Sequence, residues 1–395
     1  MGDGRSMMSQ WLEDASVKRA FAAIEAQHED LVQLIIRLCE IPSPTFEEGP
    51  RARAVAEELR ALGLQDVHLD AVDNVLGILP GSGPGPTLLL DAHTDTVFPA
   101  GTYVRVRRED GQLRAPGVGD DTTNLACALF FLRLVRDCGL HVPGTLIVSG
   151  SVGEEGLGDL RGIKTLMEQL AGRVDYVLAL DGQLGRLTNQ GVGSRRYKVT
   201  VKARGGHSWA DFGSPSAIHG LGEVIAQIAK LNVPKHPRTT FNVGRIAGGT
   251  SVNTIAESAD MLLDMRSVSL EELASLESRV FGVLVGVERE CNVRIERQLV
   301  GDRPAGSNVD TTWMVETIRH VHETLGIRTE INASSTNANI PLSQGIPAVV
   351  IGTYTGRGTH RLEEWIDERS VILGMKQLVL SVLALQHALS TSQKL

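Results

Sequence analysis

Histidine and carboxylate side chains follow several apolar segments of this chain, and these are the side chains that could do chemistry. The stretch TLLLDAHTDTVFP holds the apolar run Thr87–Leu90 and then presents His93 and Asp95 two residues apart. Mixed imidazole and carboxylate ligands are typical of Zn, Mn and Co sites. A histidine that binds metal usually donates its other ring N–H to a carboxylate or carbonyl group. We therefore interpret His93 as a metal ligand and Asp95 as the group that orients its ring.

Carboxylate or histidine residues also follow three further apolar runs. Glu154 and Glu155 lie in GSVGEEG, Asp181 lies in LALDG, and His360 lies in IGTYTGRGTHRLEE. Each has an ordinary explanation when taken alone, because loop histidines, solvated glutamate pairs and turn aspartates are common. Together they would crowd negative charge at one edge of one sheet, where the carboxylates would repel each other unless a cation lay among them.

The Gly-rich loop APGVGDDTTN adds Asp120 and Asp121 just before a predicted helix, where an aspartate could also be an N-cap. One carboxylate from this loop could bridge two ions about 3.5–4 Å apart, as in two-metal hydrolases. The adjacent glutamates could then supply one metal ligand and one general base. The two aspartates could exchange roles. Binding of phosphate or nucleotide is disfavoured, because two acids oppose an anion and the loop lacks the GK[ST] ending of a P-loop.

Strands and helices that alternate along the chain must position these residues. Apolar runs predict strands at 74–79, 87–90, 145–149, 175–180 and 347–352. Helical spacing predicts helices at 14–40, 48–63, 122–138, 159–171, 308–325 and 368–389. Such a pattern predicts an α/β fold with a mostly parallel sheet that helices cover on both faces. Ligands bind such sheets at the carboxyl ends of the strands, where the polar residues fall.

The middle of the chain has a different order of elements. Predicted strands at 195–203, 241–249, 257–267 and 293–300 alternate with helices at 216–231 and 270–289. That order, β-α-β-β-α-β, is the ferredoxin-like arrangement. We expect a small α+β domain at 192–303, inserted into a larger domain formed by 1–191 and 304–395.

Composition narrows the class of protein. The 395 residues carry a formal net charge of -8, and no block of Lys and Arg indicates a nucleic-acid or membrane surface. No run approaches the roughly 18 apolar residues of a membrane span, and the N-terminus has no apolar segment of a secretory signal. The four cysteines form no C-x-x-C pair, and three of them lie in apolar surroundings. These features favour a cytoplasmic protein with free thiols.

The motifs DAHTDTVFP, GVGDDTTNLA, GEEGLGD, ALDG and GTHRLEEW together resemble the co-catalytic metallopeptidases and amidohydrolases of the M20 group. The likeness covers nearly the whole chain and implies a zinc-exopeptidase-like fold with two divalent ions, Zn first and Mn or Co as alternatives. It implies two sets of three ligands with one shared carboxylate: His93, Asp120 and Asp181 for one ion, and Asp120, Glu155 and His360 for the other. Glu154 would be the general base, and Asp95 would orient His93.

The resemblance also implies a lid and dimerisation role for the inserted domain. KARGGHSWADFG matches the family's Gly-Gly-His, so His207 would reach the partner subunit's active site in a homodimer. SVNTI and LDMRS resemble segments that hold the substrate, which makes Asn253 and Arg266 candidates; a turn and a strand-end salt bridge are their other readings. Two positions depart from the pattern, since many relatives carry Lys where this chain has Thr122 and Asp where it has Asn337.

We expect a hydrolase that cleaves a peptide or amide bond of a small substrate, as an M20-type exopeptidase would. An N-acyl-amino-acid deacylase or carbamoylase is the alternative, since one sequence does not show the shape of the pocket. A non-catalytic dimeric binding protein with this fold is a remote alternative, because every expected ligand and the base are present.

Overall fold

A computed structural model describes residues 3–306 and 309–392. The chain divides into two compact units, Met1–Gln190 with Asn308–Leu395, and Gly191–Ser307, and the predicted insert at 192–303 falls within the second. The helices are α1 (Asp3–Glu13), α2 (Ala15–Ala26), α3 (His28–Cys39), α4 (Gly49–Ala61), α5 (Asn124–Cys138), α6 (Arg161–Gln169), α7 (Ala217–Ile228), α8 (Leu270–Glu290), α9 (Thr312–Leu325), α10 (Asn339–Ser343) and α11 (Ser370–Ser392). The strands are β1 (Gln65–Leu69), β2 (Val75–Leu79), β3 (Leu88–His93), β4 (Arg107–Glu109), β5 (Gln112–Arg114), β6 (Leu146–Ser151), β7 (Tyr176–Leu180), β8 (Arg186–Gly191), β9 (Gly193–Lys202), β10 (Gly206–His207), β11 (Thr239–Gly248), β12 (Thr254–Ile255), β13 (Ser258–Ser267), β14 (Arg294–Arg303), β15 (Glu330–Ser334), β16 (Ala348–Ile351), β17 (Gly356–Arg357) and β18 (Trp365–Asp367).

The first unit contains an eight-stranded sheet in the order β1-β2-β6-β3-β7-β16-β8-β15. The four central strands β6, β3, β7 and β16 run parallel, as predicted. The pairs β1–β2, β2–β6 and β16–β8 are antiparallel. The sequence did not predict β1 and β15, because both are largely polar and exposed and show no apolar run. The sheet is therefore parallel at its centre and mixed overall.

The central strands are buried at every position, which explains the apolar run that each of them contains. In β3, Leu88 and Leu90 face one hydrophobic core and Leu89 faces another on the opposite side of the sheet. Successive side chains of a strand point to opposite faces, so helices must cover both. This burial fixes the strand ends that carry the polar residues.

One predicted helix was wrong in its extent. The single helix expected at 14–40 is two helices, α2 and α3, and the chain leaves helical geometry at Gln27. Buried residues keep the same spacing across the break, from Ile24 in α2 to Leu31 in α3, which is why the pattern reads as one helix. The helix predicted to start at 308 begins at Thr312, and residue 308 itself lies outside the described residues.

The last helix corrects a second expectation. Ser370–Ala388 of α11 is long and apolar enough to cross a membrane by length and composition, although no such run was expected. In the structure, 72% of this segment is buried inside the protein, as in the core helix of a globular unit. Leu378, Leu380 and Leu383 belong to the larger hydrophobic core.

The second unit has the predicted β-α-β-β-α-β order. Its sheet is β11-β13-β9-β14, and every neighbouring pair is antiparallel. Helices α7 and α8 pack on the sheet through a core that includes Val224, Leu276 and Met261. A short additional pair, β10–β12, joins Gly206–His207 to Thr254–Ile255. The ferredoxin-like arrangement is confirmed, with that pair as an addition.

Candidate metal centre

His93 is the last residue of β3 and is 2% exposed. Its Nδ1 lies 3.0 Å from the main-chain oxygen of Asp95 and 3.4 Å from Asp95 Oδ1, so Asp95 holds the ring from that side. The Asp95 carboxylate also accepts hydrogen bonds from the N–H groups of Glu154 and Glu155 at 2.9 and 3.0 Å. Burial opposes ionisation of Asp95, but the bonds and charge of His93 outweigh it and lower the pKa of Asp95. Asp95 thus joins the turn after β3 to the turn after β6.

Asp120 lies between the two predicted histidine ligands. Its Oδ1 is 3.1 Å from His93 Nε2, and its Oδ2 is 3.1 Å from His360 Nε2. Burial would raise the pKa of Asp120, but the hydrogen bonds of His360 and His93 outweigh burial and lower it. The two oxygens of one carboxylate therefore face two different imidazoles.

Asp121 makes different contacts. Its Oδ2 accepts a hydrogen bond from the main-chain N–H of His93 at 3.1 Å, and its Oδ1 accepts one from the Asn124 amide at 2.7 Å. Burial raises the pKa of Asp121 well above its usual value. The two adjacent carboxylates therefore differ: Asp121 holds neighbouring segments, and Asp120 faces the two imidazoles.

The other predicted ligands lie around Asp120. Glu155 Oε1 is 2.9 Å from His360 Nε2 in the turn that follows β6. Asp181 directly follows β7, and burial, followed by the charge of Asp120, raises the pKa of Asp181 to about 7. The hydrogen bonds with Asp120 and Glu155 raise the pKa of His360, which is about half exposed, to about 10. The shift of His360 reflects the carboxylates beside it, whereas the shift of Asp181 reflects mainly its burial.

A divalent cation fits this donor set. Three overlapping groups have ligand atoms within 4.8 Å of one another: His93, Asp120, Asp121 and Asp181; His93, Glu154 and Glu155; and Asp120, Glu155 and His360. Carboxylates placed this close are stabilised by positive charge. A bound cation would supply that charge and release the imidazoles as neutral ligands.

The sequence did not single out Glu364, which is 2% exposed beside the same loop. Its carboxylate accepts hydrogen bonds from the N–H groups of Gly117, Gly119 and Asp120 at 2.7, 3.2 and 3.0 Å. Burial raises the pKa of Glu364 to about 8. The pair of adjacent acids in HRLEE was visible in the sequence, but the loop that Glu364 contacts is 245 residues away from it at Gly119, so no sequence signal identified this contact.

Asn337, one of the two positions that depart from the expected family pattern, has a defined partner. Its amide donates hydrogen bonds to Asp91 Oδ2 at 2.7 Å and to Ser151 Oγ at 2.8 Å. Asp91 is 1% exposed and also accepts a bond from Ser149. An amide at position 337 therefore supplies the donors that this buried carboxylate needs.

The remaining predicted residues belong to the second unit, which is described by itself. His207 is exposed, and its Nδ1 accepts hydrogen bonds from the N–H groups of Trp209 and Ala210. Asn253 is exposed and accepts a bond from the Ser251 hydroxyl. Arg266 forms an ion pair with Asp264 at 2.7 Å within β13. The roles of His207, Asn253 and Arg266 in a site stay predictions.

The fold and the cluster of candidate metal ligands together define a class of protein, the metal-dependent hydrolases of peptide or amide bonds. Within it, the chain belongs to Peptidase family M20/M25/M40, whose sequence profile matches residues 89–384.

The chain is 27% identical over 330 residues to acetylornithine deacetylase of Myxococcus xanthus, which covers 78% of this chain and 83% of the relative. It shares the fold of a tripeptidase from Staphylococcus aureus, with a TM-score of 0.77, 22% identity and coverage of 91% and 98%. It also shares the fold of YXEP of Bacillus subtilis, described as a dinuclear metal-binding peptidase of the M20 family, with a TM-score of 0.70, 16% identity and coverage of 92% and 99%.

Proposed function

We propose that this protein hydrolyses a peptide or amide bond of a small substrate with two divalent ions that share Asp120. The observation that carries the proposal is the position of that carboxylate, with one oxygen 3.1 Å from His93 and the other 3.1 Å from His360. His93, Asp120 and Asp181 would hold one ion, and Asp120, Glu155 and His360 the other. Zn²⁺ is the favoured metal, with Mn²⁺ or Co²⁺ as alternatives. The dinuclear description of the Bacillus subtilis relative supports the pair of ions.

When bound, such ions polarise a carbonyl group and lower the pKa of water. Glu154 is the general base, which takes a proton from the attacking water and gives it to the leaving amine. Asp95 keeps His93 oriented and, through the N–H groups of Glu154 and Glu155, fixes the turn that carries the base. His207 of the partner subunit stabilises the oxyanion in a homodimer, and closure of the inserted domain excludes water.

Two substrate classes fit this chemistry. A peptide is supported by the tripeptidase fold relative, and an N-acyl amino acid by the acetylornithine deacetylase relative, which is closer in sequence. We place exopeptidase activity first and deacylation second, and we place the protein in the cytoplasm, since its four cysteines are free. A panel of dipeptides, tripeptides and N-acetyl amino acids separates the two substrate classes.

The test of the mechanism compares the two adjacent glutamates. Glu154→Ala should lower turnover by roughly 10²–10⁴-fold and leave metal content near that of the wild type. Glu155→Ala should lower the occupancy of one ion, because its Oε1 faces His360. Loss of metal from Glu154→Ala with activity retained would refute the assignment. Inactive His207→Ala and Glu154→Ala subunits should regain activity when mixed, and no recovery despite proven subunit exchange would exclude action across the dimer.

A further inference from the structure

Arg51 is a buried charged residue of the first unit that has no role in the proposed reaction. It lies in α4, it is 1% exposed, and its guanidinium is enclosed beside the candidate centre. Burying a charged side chain is costly unless every donor finds an acceptor. The acceptors of the Arg51 guanidinium therefore show which segments this buried side chain holds together.

The guanidinium makes five hydrogen bonds to three separate segments. It donates to the main-chain oxygens of Ile41 at 3.1 and 2.7 Å and of Cys39 at 3.4 Å, at the end of α3. It donates to the oxygen of Thr94 at 3.0 Å and to the hydroxyl of Thr122 at 3.3 Å. Thr94 separates His93 from Asp95, and Thr122 follows Asp120 by two residues. One planar side chain therefore joins both ligand-bearing segments to a fixed helix end.

The charge of Arg51 is not neutralised by a direct ion pair. Within the described part of the chain, no carboxylate oxygen lies within ion-pair distance of its nitrogens, and the acids that act on it from further away are Asp95 and Asp121. A simple ion pair would need one carboxylate, whereas a guanidinium fork suits acceptors arranged in a plane. The contacts therefore point to positioning of backbone rather than neutralisation of a single acid.

We propose that Arg51 is a positioning residue for the metal centre, which holds the His93–Asp95 turn and the Asp120 segment in register for two ions. This inference rests on the proposed function. It predicts the direction in which metal affinity changes when Arg51 is removed, because a cation beside the centre repels divalent ions through its charge alone. Removing Arg51 would tighten metal binding if charge dominated, and it weakens metal binding if positioning dominates.

The test is titration of the purified apoprotein with Zn²⁺ against a competing chelator, and with Co²⁺ by visible absorption. Arg51→Met removes the charge and the donors, and Arg51→Lys keeps the charge but cannot reproduce the planar fork. Both should raise the dissociation constant roughly 10- to 100-fold, the range of residues that orient metal ligands, and change the Co²⁺ spectrum. Arg19→Met is the control, because Arg19 also bonds a main-chain oxygen, that of Cys138, and should leave both readouts unchanged.

Each alternative gives a different result. Tighter binding by Arg51→Met with unchanged binding by Arg51→Lys would show a role of charge and overturn the proposal. A lower melting temperature with wild-type affinity and spectrum would show a purely structural role and also overturn it. If Arg51→Met does not fold, Thr122→Val removes only one acceptor and should weaken binding in the same direction; unchanged affinity in this variant and in Arg51→Lys refutes positioning. Absence of a metal pair in the wild type would instead refute the proposed function.

Discussion

Glu364 provides the sharpest test of how the candidate centre is held. Its buried carboxylate accepts hydrogen bonds from Gly117, Gly119 and Asp120, and it follows His360 by four residues in the same loop. It therefore ties the segment of one proposed ligand to the segment of another. We expect Glu364→Gln, which keeps the shape of the side chain, to weaken binding of the divalent ions.

The magnitude follows from the hydrogen bonds. Glutamine has one terminal oxygen, which can keep the bonds from Gly119 and Asp120 at 3.2 and 3.0 Å. Its amide nitrogen then faces the N–H of Gly117, whose acceptor at 2.7 Å is lost. One unsatisfied buried donor costs about 1–3 kcal/mol. That cost is roughly a 5- to 150-fold change in an equilibrium constant, if the displaced loop is restored on binding.

The assay is a Zn²⁺ titration of the apoprotein against a chelating dye, with elemental analysis of the saturated protein. Glu368→Gln is the matched control. The Glu368 carboxylate is also buried, but it pairs with Arg108 at 2.6 Å and not with the loop that carries Asp120. Glu368→Gln should bind both ions as the wild type does. Wild-type affinity in Glu364→Gln, together with a lower free energy of unfolding, would show that Glu364 stabilises the fold without positioning Asp120.

Three further variants probe the ligands and the buried polar groups. His360→Ala should lower the occupancy of one of two ions by elemental analysis, because its Nε2 faces Asp120 and Glu155; unchanged stoichiometry argues against a ligand. Asn337→Asp replaces the amide donor 2.7 Å from Asp91 by a second acid and should lower the urea-measured free energy of unfolding by about 1–3 kcal/mol. Burial lowers the pKa of His322 below 6.5, so the unfolded chain takes up a proton first and stability falls as pH drops from about 6.5 to the folded-state pKa. His322→Gln should lack this loss of stability between pH 7.5 and 5. Parallel curves of unfolding free energy against pH for the two proteins would exclude His322 as its cause.

The parts of the fold that the sequence predicted are those in which burial alone decides the pattern. The four central strands are enclosed on both faces, so each contains an apolar run that the sequence shows. The edge strands β1 and β15 are held by main-chain bonds and carry mixed residues, so no pattern marks them. The break at Gln27 was missed for a related reason, since buried spacing continues through it.

The residues of the candidate site also divide into those that the sequence predicted and those that only the structure shows. His93, Glu155 and Asp181 lie at or just after the ends of parallel strands, and the rule that such strands share one carboxyl edge brings them together. Asp120 lies in the Gly-rich loop before α5, and the family resemblance rather than this rule identified it. Glu364 and Arg51 act on main-chain atoms of distant segments, and a main-chain acceptor or donor leaves no residue type in the sequence that would identify its partner. Only the folded geometry shows that these two side chains hold the loops around Asp120.

The carboxylates Asp95, Asp121 and Glu364 differ from Asp120 and Glu155 in the groups that their oxygens contact. Asp95, Asp121 and Glu364 accept hydrogen bonds from main-chain N–H groups, which fix the turns that carry the other acids. Asp120 and Glu155 instead direct oxygens at imidazole nitrogens about 3 Å away. A carboxylate that accepts main-chain hydrogen bonds holds a turn in place, whereas one that faces an imidazole directs an oxygen at another candidate ligand. The adjacent residues Asp120 and Asp121 show this difference within one loop, and it supports the choice of Asp120 as the proposed ligand, which the family resemblance also favoured.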